Sequence, residues 1–324
     1  MTLRGVLRRL ARKVSAGRGR TGAGGAASVA EVWGEQAGTW SIGGVRHWTE
    51  LARVQAILNR RVSGDEAVDP YLWFLRTRLE GRLPVARALT IGCGGGDLER
   101  GLATYGFAAS HDAFDVAPGA IERARTAASE AGLGCVRYSV ANGNDLTLEA
   151  SAYDVVFGVH SIHHIERLER LFEQIARSLK PDGLFFMNEF VGPTRFQWSD
   201  RQLEVVNGLL RALPARYRRS TVGDGLKERF PRPTVAEMVA SDPSEAVRSS
   251  EILALAEAHF ELLEVRPYGG TILHLLLHDI AGNFSGSSPG GPELLEAIAD
   301  LEWALVSSGD LPSDFAVVVA RPRR

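Results

Sequence analysis

One twelve-residue run constrains this chain more than any other. Ala88-Leu-Thr-Ile-Gly92-Cys-Gly94-Gly95-Gly96-Asp97-Leu-Glu passes from an apolar strand pattern, through a glycine turn, into a helical pattern. A strand that ends this way is the first half of a strand–helix–strand unit, and hence of a layered sheet. Gly92 and Gly94 permit a tight turn and a close approach of backbone to a ligand. A dinucleotide fingerprint requires a third glycine at position 97, where Asp97 stands instead. A carboxylate at that point repels a pyrophosphate, so a nicotinamide cofactor fits poorly. A positively charged cofactor fits better.

The same alternation continues downstream. Strand-like runs at 87–92, 111–116, 135–141, 153–160 and 183–191 are separated by helical stretches such as Asp97–Tyr105, Gly119–Gly132 and Leu168–Leu179. That order predicts a parallel sheet covered on both faces. Two more strands are expected at 260–268 and Phe315–Ala320, after helical insertions at about 195–258 and 271–312. Upstream, residues 29–85 read as a helical cap holding four of the six tryptophans (Trp33, Trp40, Trp48 and Trp73). The expected organisation is therefore an N-terminal arm over 1–28, the cap over 29–85, and an α/β domain over 86–324.

Further motifs follow the glycine turn in order. Asp115 ends the second strand, 23 residues after Gly92, where an acid can accept hydrogen bonds from both hydroxyls of a ribose. Asn142 and Gly143 follow the third strand, where a side-chain carbonyl and a backbone amide could read an adenine edge. Tyr153-Asp-Val-Val-Phe157 lies in the fourth strand, and Leu179-Lys-Pro-Asp-Gly183 turns a helix into the fifth. Over roughly 85–192, and in the last two strands, the sequence resembles the class I S-adenosylmethionine (SAM)-dependent methyltransferases. Leu89–Gly94 resembles the family's glycine motif, Asp115 its ribose-binding acid, and Asn142 its adenine-contacting residue. The resemblance implies a Rossmann-like, seven-stranded, mostly parallel sheet whose last strand runs antiparallel. It implies SAM as cofactor, held by Thr90, Gly92, Cys93, Gly94, Asp97, Asp115, Val116, Asn142, Gly143 and Val159. One departure is visible: the acid often found two residues before the first glycine is Thr90 here. Asp97 offers partial compensation toward the methionine ammonium. No metal is expected in the reaction.

Methyl transfer to an oxygen nucleophile benefits from a base that takes the hydroxyl proton. His160 at the end of the fourth strand, His163 in the following turn and Glu189 at the end of the fifth strand are the candidates, with His164 behind them. Each also admits a plain structural role, as a packed or capping histidine or as a paired acid. Trp40, Trp48, Arg195 and Trp198 are the candidate substrate contacts, against the alternative that they fix the cap and the first insertion. The expected activity is methylation of a hydroxyl on a small-molecule, glycan or lipid-linked acceptor. N- or C-methylation and a non-catalytic SAM-binding module stand as alternatives.

Charge sets the expected partners. Lys and Arg number 37 and Asp and Glu 39, a net charge of −2. The first 30 residues hold seven basic side chains and no acid, leaving 30 basic against 39 acidic groups in the other 294. An acidic body disfavours nucleic acid as a partner. Residues 3–14 pair a leucine and valine stripe with arginines, a pattern for peripheral contact with an anionic membrane, against the plainer reading of a solvated tail. An Arg-rich, acid-free start also resembles a mitochondrial presequence. With two cysteines, Cys93 and Cys135, and no secretory pattern, a reducing cytoplasmic setting is expected, with membrane association through the arm as an option.

Overall fold

The computed structural model describes residues 47–323. Trp33, Trp40 and the arm with its 3–14 stripe lie outside the described residues. Two helices, α1 (Ala52–Ser63) and α2 (Pro70–Arg78), come first. Asp69 caps α2, its carboxylate accepting from the amides of Tyr71 and Leu72, and Pro70 occupies the first turn, where no amide bond is lost. Then strands and helices alternate: β1 (Val85–Ile91), α3 (Asp97–Thr104), β2 (Ala108–Asp115), α4 (Pro118–Glu130), β3 (Val136–Val140), β4 (Tyr153–Val159), α5 (Leu168–Ser178) and β5 (Leu179–Phe190). Four helices follow, α6 (Asp200–Ala212), α7 (Ala215–Arg218), α8 (Val235–Ser241) and α9 (Ile252–His259), before β6 (Phe260–Gly269). Next come α10 (Leu273–Leu277), α11 (Gly291–Ser307) and β7 (Phe315–Pro322).

The seven strands form one sheet in the order β3-β2-β1-β4-β5-β7-β6. The ladders among β1 to β5 are parallel, and β7 runs antiparallel to both β5 and β6. This is the expected α/β, Rossmann-like class, with the last strand reversed and helices filling the two insertions. The central strands are buried on both faces, as their apolar runs require. Because side chains alternate along a strand, Phe185 and Phe186 enter opposite cores. Phe186 packs with Phe74 and Phe157 on the face that carries α1 and α2. Phe185 packs with Phe172 and Phe260 on the face of α5 and α9. A buried ion pair, Arg61 to Glu302 at 2.6 Å, ties α1 to α11.

Two boundaries differ from expectation. β2 begins at Ala108 rather than 111, because Val85 pairs there although Ala108 and Ala109 carry little strand signal. β5 begins at Leu179, where a turn was expected. Leu179 pairs with Tyr153 and Leu184 with Val155, so the intervening residues bulge out of the ladder.

Candidate active site

The chain leaves β1 for β2 on one side and later returns to β4 on the other. Such a switch in strand order opens a crevice at the carboxyl ends of the strands. A cavity of about 560 Å³ lies there, bounded by the ends of β1 to β4 and roofed by Pro243, Ser244 and Val247 of the first insertion. Its size suits a small organic ligand.

Two glycines shape its floor. Gly92 takes φ +66°, and a Cβ there would lie 2.4 Å from Cβ of Ser161, so the turn after β1 can touch the turn after β4 only without a side chain. Gly94 takes φ +52°, and a Cβ there would meet nothing within 4 Å. It faces the cavity, leaving bare backbone to a ligand. Gly94 N–H donates to Asp115 Oδ2 at 2.9 Å, and Ala117 N–H donates to Oδ1 at 2.9 Å. Each oxygen keeps a lone pair beyond those bonds, so the Asp115 carboxylate is held in place yet able to accept from a diol. Thr90, Cys93, Asp97, Val116, Asn142, Gly143 and Val159 also line the cavity, so every expected cofactor residue reaches it.

Their individual states vary. Burial pushes the Cys93 thiol far up, which makes it an inert packing group. Asn142 accepts from the Asn144 amide at 3.0 Å, so its oxygen is partly engaged in capping its own turn. Asp97 sits at the cavity rim with its side chain 93% exposed and pairs with Arg100. The Thr90 hydroxyl shares a 2.9 Å hydrogen bond with His111 Nε2.

The residue that sequence reasoning missed is Glu99. It is fully buried, lines the cavity, and neither carboxylate oxygen has a hydrogen-bond partner. Burial raises its pKa to about 7; Thr90 and the local backbone pull the other way, without meeting it in hydrogen-bonding geometry. The available signal was an acid one helical turn before Leu102 on the buried face of α3, next to a β1 that lacks its acid at Thr90.

The base candidates part company. Glu189 is fully buried and accepts from the amides of Ser161 at 2.8 Å, Ile162 at 2.7 Å and Phe190 at 2.8 Å, and from His163 Nδ1. Burial alone would raise its pKa, but His163 and these donors hold it below the ordinary carboxylate value. Its lone pairs are spent on closing the turn after β4. His163 bridges Glu189 and, at 3.4 Å, Glu245. Burial opposes its charge, yet the two carboxylates raise its pKa to about 10, so it is an imidazolium at neutral pH. Neither group lines the cavity.

His160 and His164 line the cavity, and His163 does not. The short turn Ile162–His164 draws His163 inward to Glu189 and turns His164 toward the ligand space. His160 is solvent-exposed at the cavity wall, and the protein groups around it lower its pKa, so its imidazole is neutral at pH 7. His160 also takes φ +48°, an uncommon conformation that aims its side chain away from the strand direction. His163, His164 and Glu245 bring ligand-type atoms within 4.8 Å of one another.

The expected substrate contacts are held elsewhere. Arg195 donates to the carbonyls of Glu245 at 3.0 Å and Pro243 at 2.7 Å, fixing its own loop. Trp198 is buried, donates to Asp314 Oδ2 at 3.0 Å and stacks on Phe196. Trp48 is buried against His274 and Phe315. None of the three lines the cavity, and Trp40 lies outside the described residues.

The donor set suits SAM: a diol acceptor at Asp115, bare backbone at Gly94, and a buried carboxylate at Glu99 for a cation. Residues 89–187 match the methyltransferase domain family. The ubiquinone biosynthesis O-methyltransferase of Xanthomonas euvesicatoria pv. vesicatoria (strain 85-10) is 33% identical over 150 residues, covering 44% of this chain and 61% of that protein. Its counterpart from Xanthomonas axonopodis pv. citri (strain 306) is 33% identical over 151 residues, with the same coverage. The chain thus spans about three fifths of the length of the curated relatives it matches. Geranyl diphosphate C-methyltransferase from Streptomyces coelicolor A3(2) shares the fold, with a TM-score of 0.50 and 14% identity over 94% of this chain and all of that one. Sheet order, glycine cradle and matched family model together mark residues 89–187 as a methyltransferase domain.

Proposed function

We propose that the chain is an enzyme that methylates a hydroxyl group of a small-molecule, glycan or lipid-linked acceptor. The observation that carries this reading is a neutral imidazole, His160, on the wall of the cavity whose other end is the Asp115–Gly94 cradle. When bound, SAM supplies an electrophilic methyl group on a sulfonium. Asp115 and the Gly94 backbone would hold the nucleoside end of that cofactor. Positioning of that kind supplies much of the rate in a two-substrate displacement. His160 then accepts the proton of the attacking hydroxyl, with His164 as the neighbouring group that also reaches the cavity. The name of the Xanthomonas relatives, O-methyltransferases, supports an oxygen acceptor.

Calorimetric titration with SAM and S-adenosylhomocysteine, followed by methyl-labelled SAM with a panel of phenols, glycans and lipid-linked alcohols, tests it. The expected result is binding by the wild type, loss of binding in Asp115→Ala, and label on a hydroxyl. Label on nitrogen or carbon overturns the oxygen assignment. No binding by the wild type overturns the cofactor assignment.

A further inference from the structure

We infer that Glu99 anchors the amino-acid end of the cofactor, taking the α-ammonium group that a shorter-range acid would otherwise receive from position 90. The inference rests on the SAM reading above and adds a residue to it.

Three acids border the glycine turn, and they are not equivalent. Asp115 is committed to Gly94 and Ala117 on the nucleoside side. Asp97 points to solvent and pairs with Arg100, which also donates to the Gly95 carbonyl at 2.6 Å. Glu99 makes no ion pair and no hydrogen bond, with Arg100 and Thr90 only partly offsetting its burial, although it is fully buried and forms part of the cavity wall. A carboxylate so placed is costly, because it has left water and gained nothing in return. A ligand bearing three N–H donors and a positive charge removes that cost on binding.

The neighbouring residues agree. At position 90, two residues before Gly92, the side chain is a threonine whose hydroxyl is turned to His111, itself neutral because burial lowers its pKa to about 4. No other carboxylate among the described residues that line this cavity is buried: Asp97 is exposed, Asp115 half-buried and Glu166 exposed. The acid has therefore moved from the strand to the first turn of α3, within reach of the same space from the opposite side of the turn. A consequence concerns protons. Glu99 is partly protonated near pH 7, and a cation arriving beside it favours the ionised form, so the proton leaves as the ligand binds.

The experiment compares S-adenosylhomocysteine with 5′-methylthioadenosine, which keeps the nucleoside and lacks the amino-acid end. Titrations use the full chain as wild type, Glu99→Gln and Glu99→Asp. Glu99→Gln should weaken S-adenosylhomocysteine by about 10- to 100-fold, the range for losing a charged hydrogen bond, and leave methylthioadenosine within about 2-fold. Glu99→Asp, which keeps the charge, should fall between. In the wild type, the binding enthalpy for S-adenosylhomocysteine should change with the ionisation enthalpy of the buffer, showing proton release, and that dependence should vanish in Glu99→Gln. Equal weakening of both ligands in Glu99→Gln, or unchanged S-adenosylhomocysteine affinity, overturns the inference while leaving the SAM reading intact. Failure of both ligands to bind the wild type overturns both. Should Glu99→Gln fail to fold, the absence of proton release in the wild type alone overturns it.

Discussion

Two glutamates are fully buried, Glu99 in the cavity wall and Glu189 against the turn after β4, and they are wired in opposite ways. Glu189, at the end of β5, is met by three backbone amides and a histidine. Glu99, in the first turn of α3, is met by nothing. Equal burial therefore gives opposite protonation: Glu189 is held ionised, and Glu99 is pushed up to about 7. A saturated buried charge is part of the scaffold, because its partners consume every lone pair. An unsatisfied one marks a place where stability has been given up for a ligand.

The strongest way to break this contrast is to neutralise each glutamate and measure the free protein in denaturant. Glu189→Gln should lose about 3–5 kcal/mol, because it strands the His163 imidazolium and cannot replace all four contacts. Glu99→Gln should be more stable than wild type at pH 8 by about 1–3 kcal/mol, since a carboxylate with its pKa raised on folding destabilises the folded state once ionised. A loss in Glu99→Gln would place that residue in the scaffold.

The pH dependence of stability sharpens the same point. His163 has a raised folded pKa of about 10, so its contribution is complete below the ordinary histidine value and fades as the pH rises toward 10. Glu189 has a lowered folded pKa, so its contribution is present at neutral pH and is lost as the pH falls below the ordinary carboxylate range. Glu99 acts in reverse, its cost growing from about pH 4 to pH 7. Subtracting the Glu99→Gln profile from wild type should expose that growing cost as a fall in stability with rising pH. A flat difference would show that Glu99 stays protonated or finds water.

A kinetic readout belongs to the wall where chemistry is proposed. His160→Ala should lower kcat by about 10²- to 10⁴-fold and leave SAM affinity within about 2-fold. His163→Ala should act mainly on stability, and a turnover loss at unchanged stability would reverse the roles assigned to the two histidines. The least effect is expected from deleting residues 1–28, which should leave SAM affinity unchanged by calorimetry.

The cradle was legible because strand, glycine turn and acid are consecutive signals with a fixed geometry. Gly92, Gly94 and Asp115 fall where their backbone path must go. The histidines were not, because two adjacent residues in one short turn must face different ways, and only the acceptor at Glu189 decides which turns inward. Glu99 escaped because an acid in the first turn of a helix also reads as a favourable partner for the helix dipole. Its neighbours include Thr90 of β1 and Tyr138 of β3, the latter 39 residues away in sequence. Arg195 and Trp198 were read as substrate contacts because they open the first insertion, with fixing of that loop as the alternative. The loop's own carbonyls and Asp314 satisfy them first.

The strand order has a temporal side. Among the described strands β6 has no neighbour except β7, and β7 follows both β5 and β6 along the chain. A nascent chain stopped before residue 315 therefore presents two open strand edges, one on β5 and one on β6, with apolar faces meant for a partner not yet made. Only the final eight-residue strand, Phe315–Pro322, closes the gap. Chains that lose it, by truncation or premature termination, should accumulate as aggregates rather than as a smaller folded core.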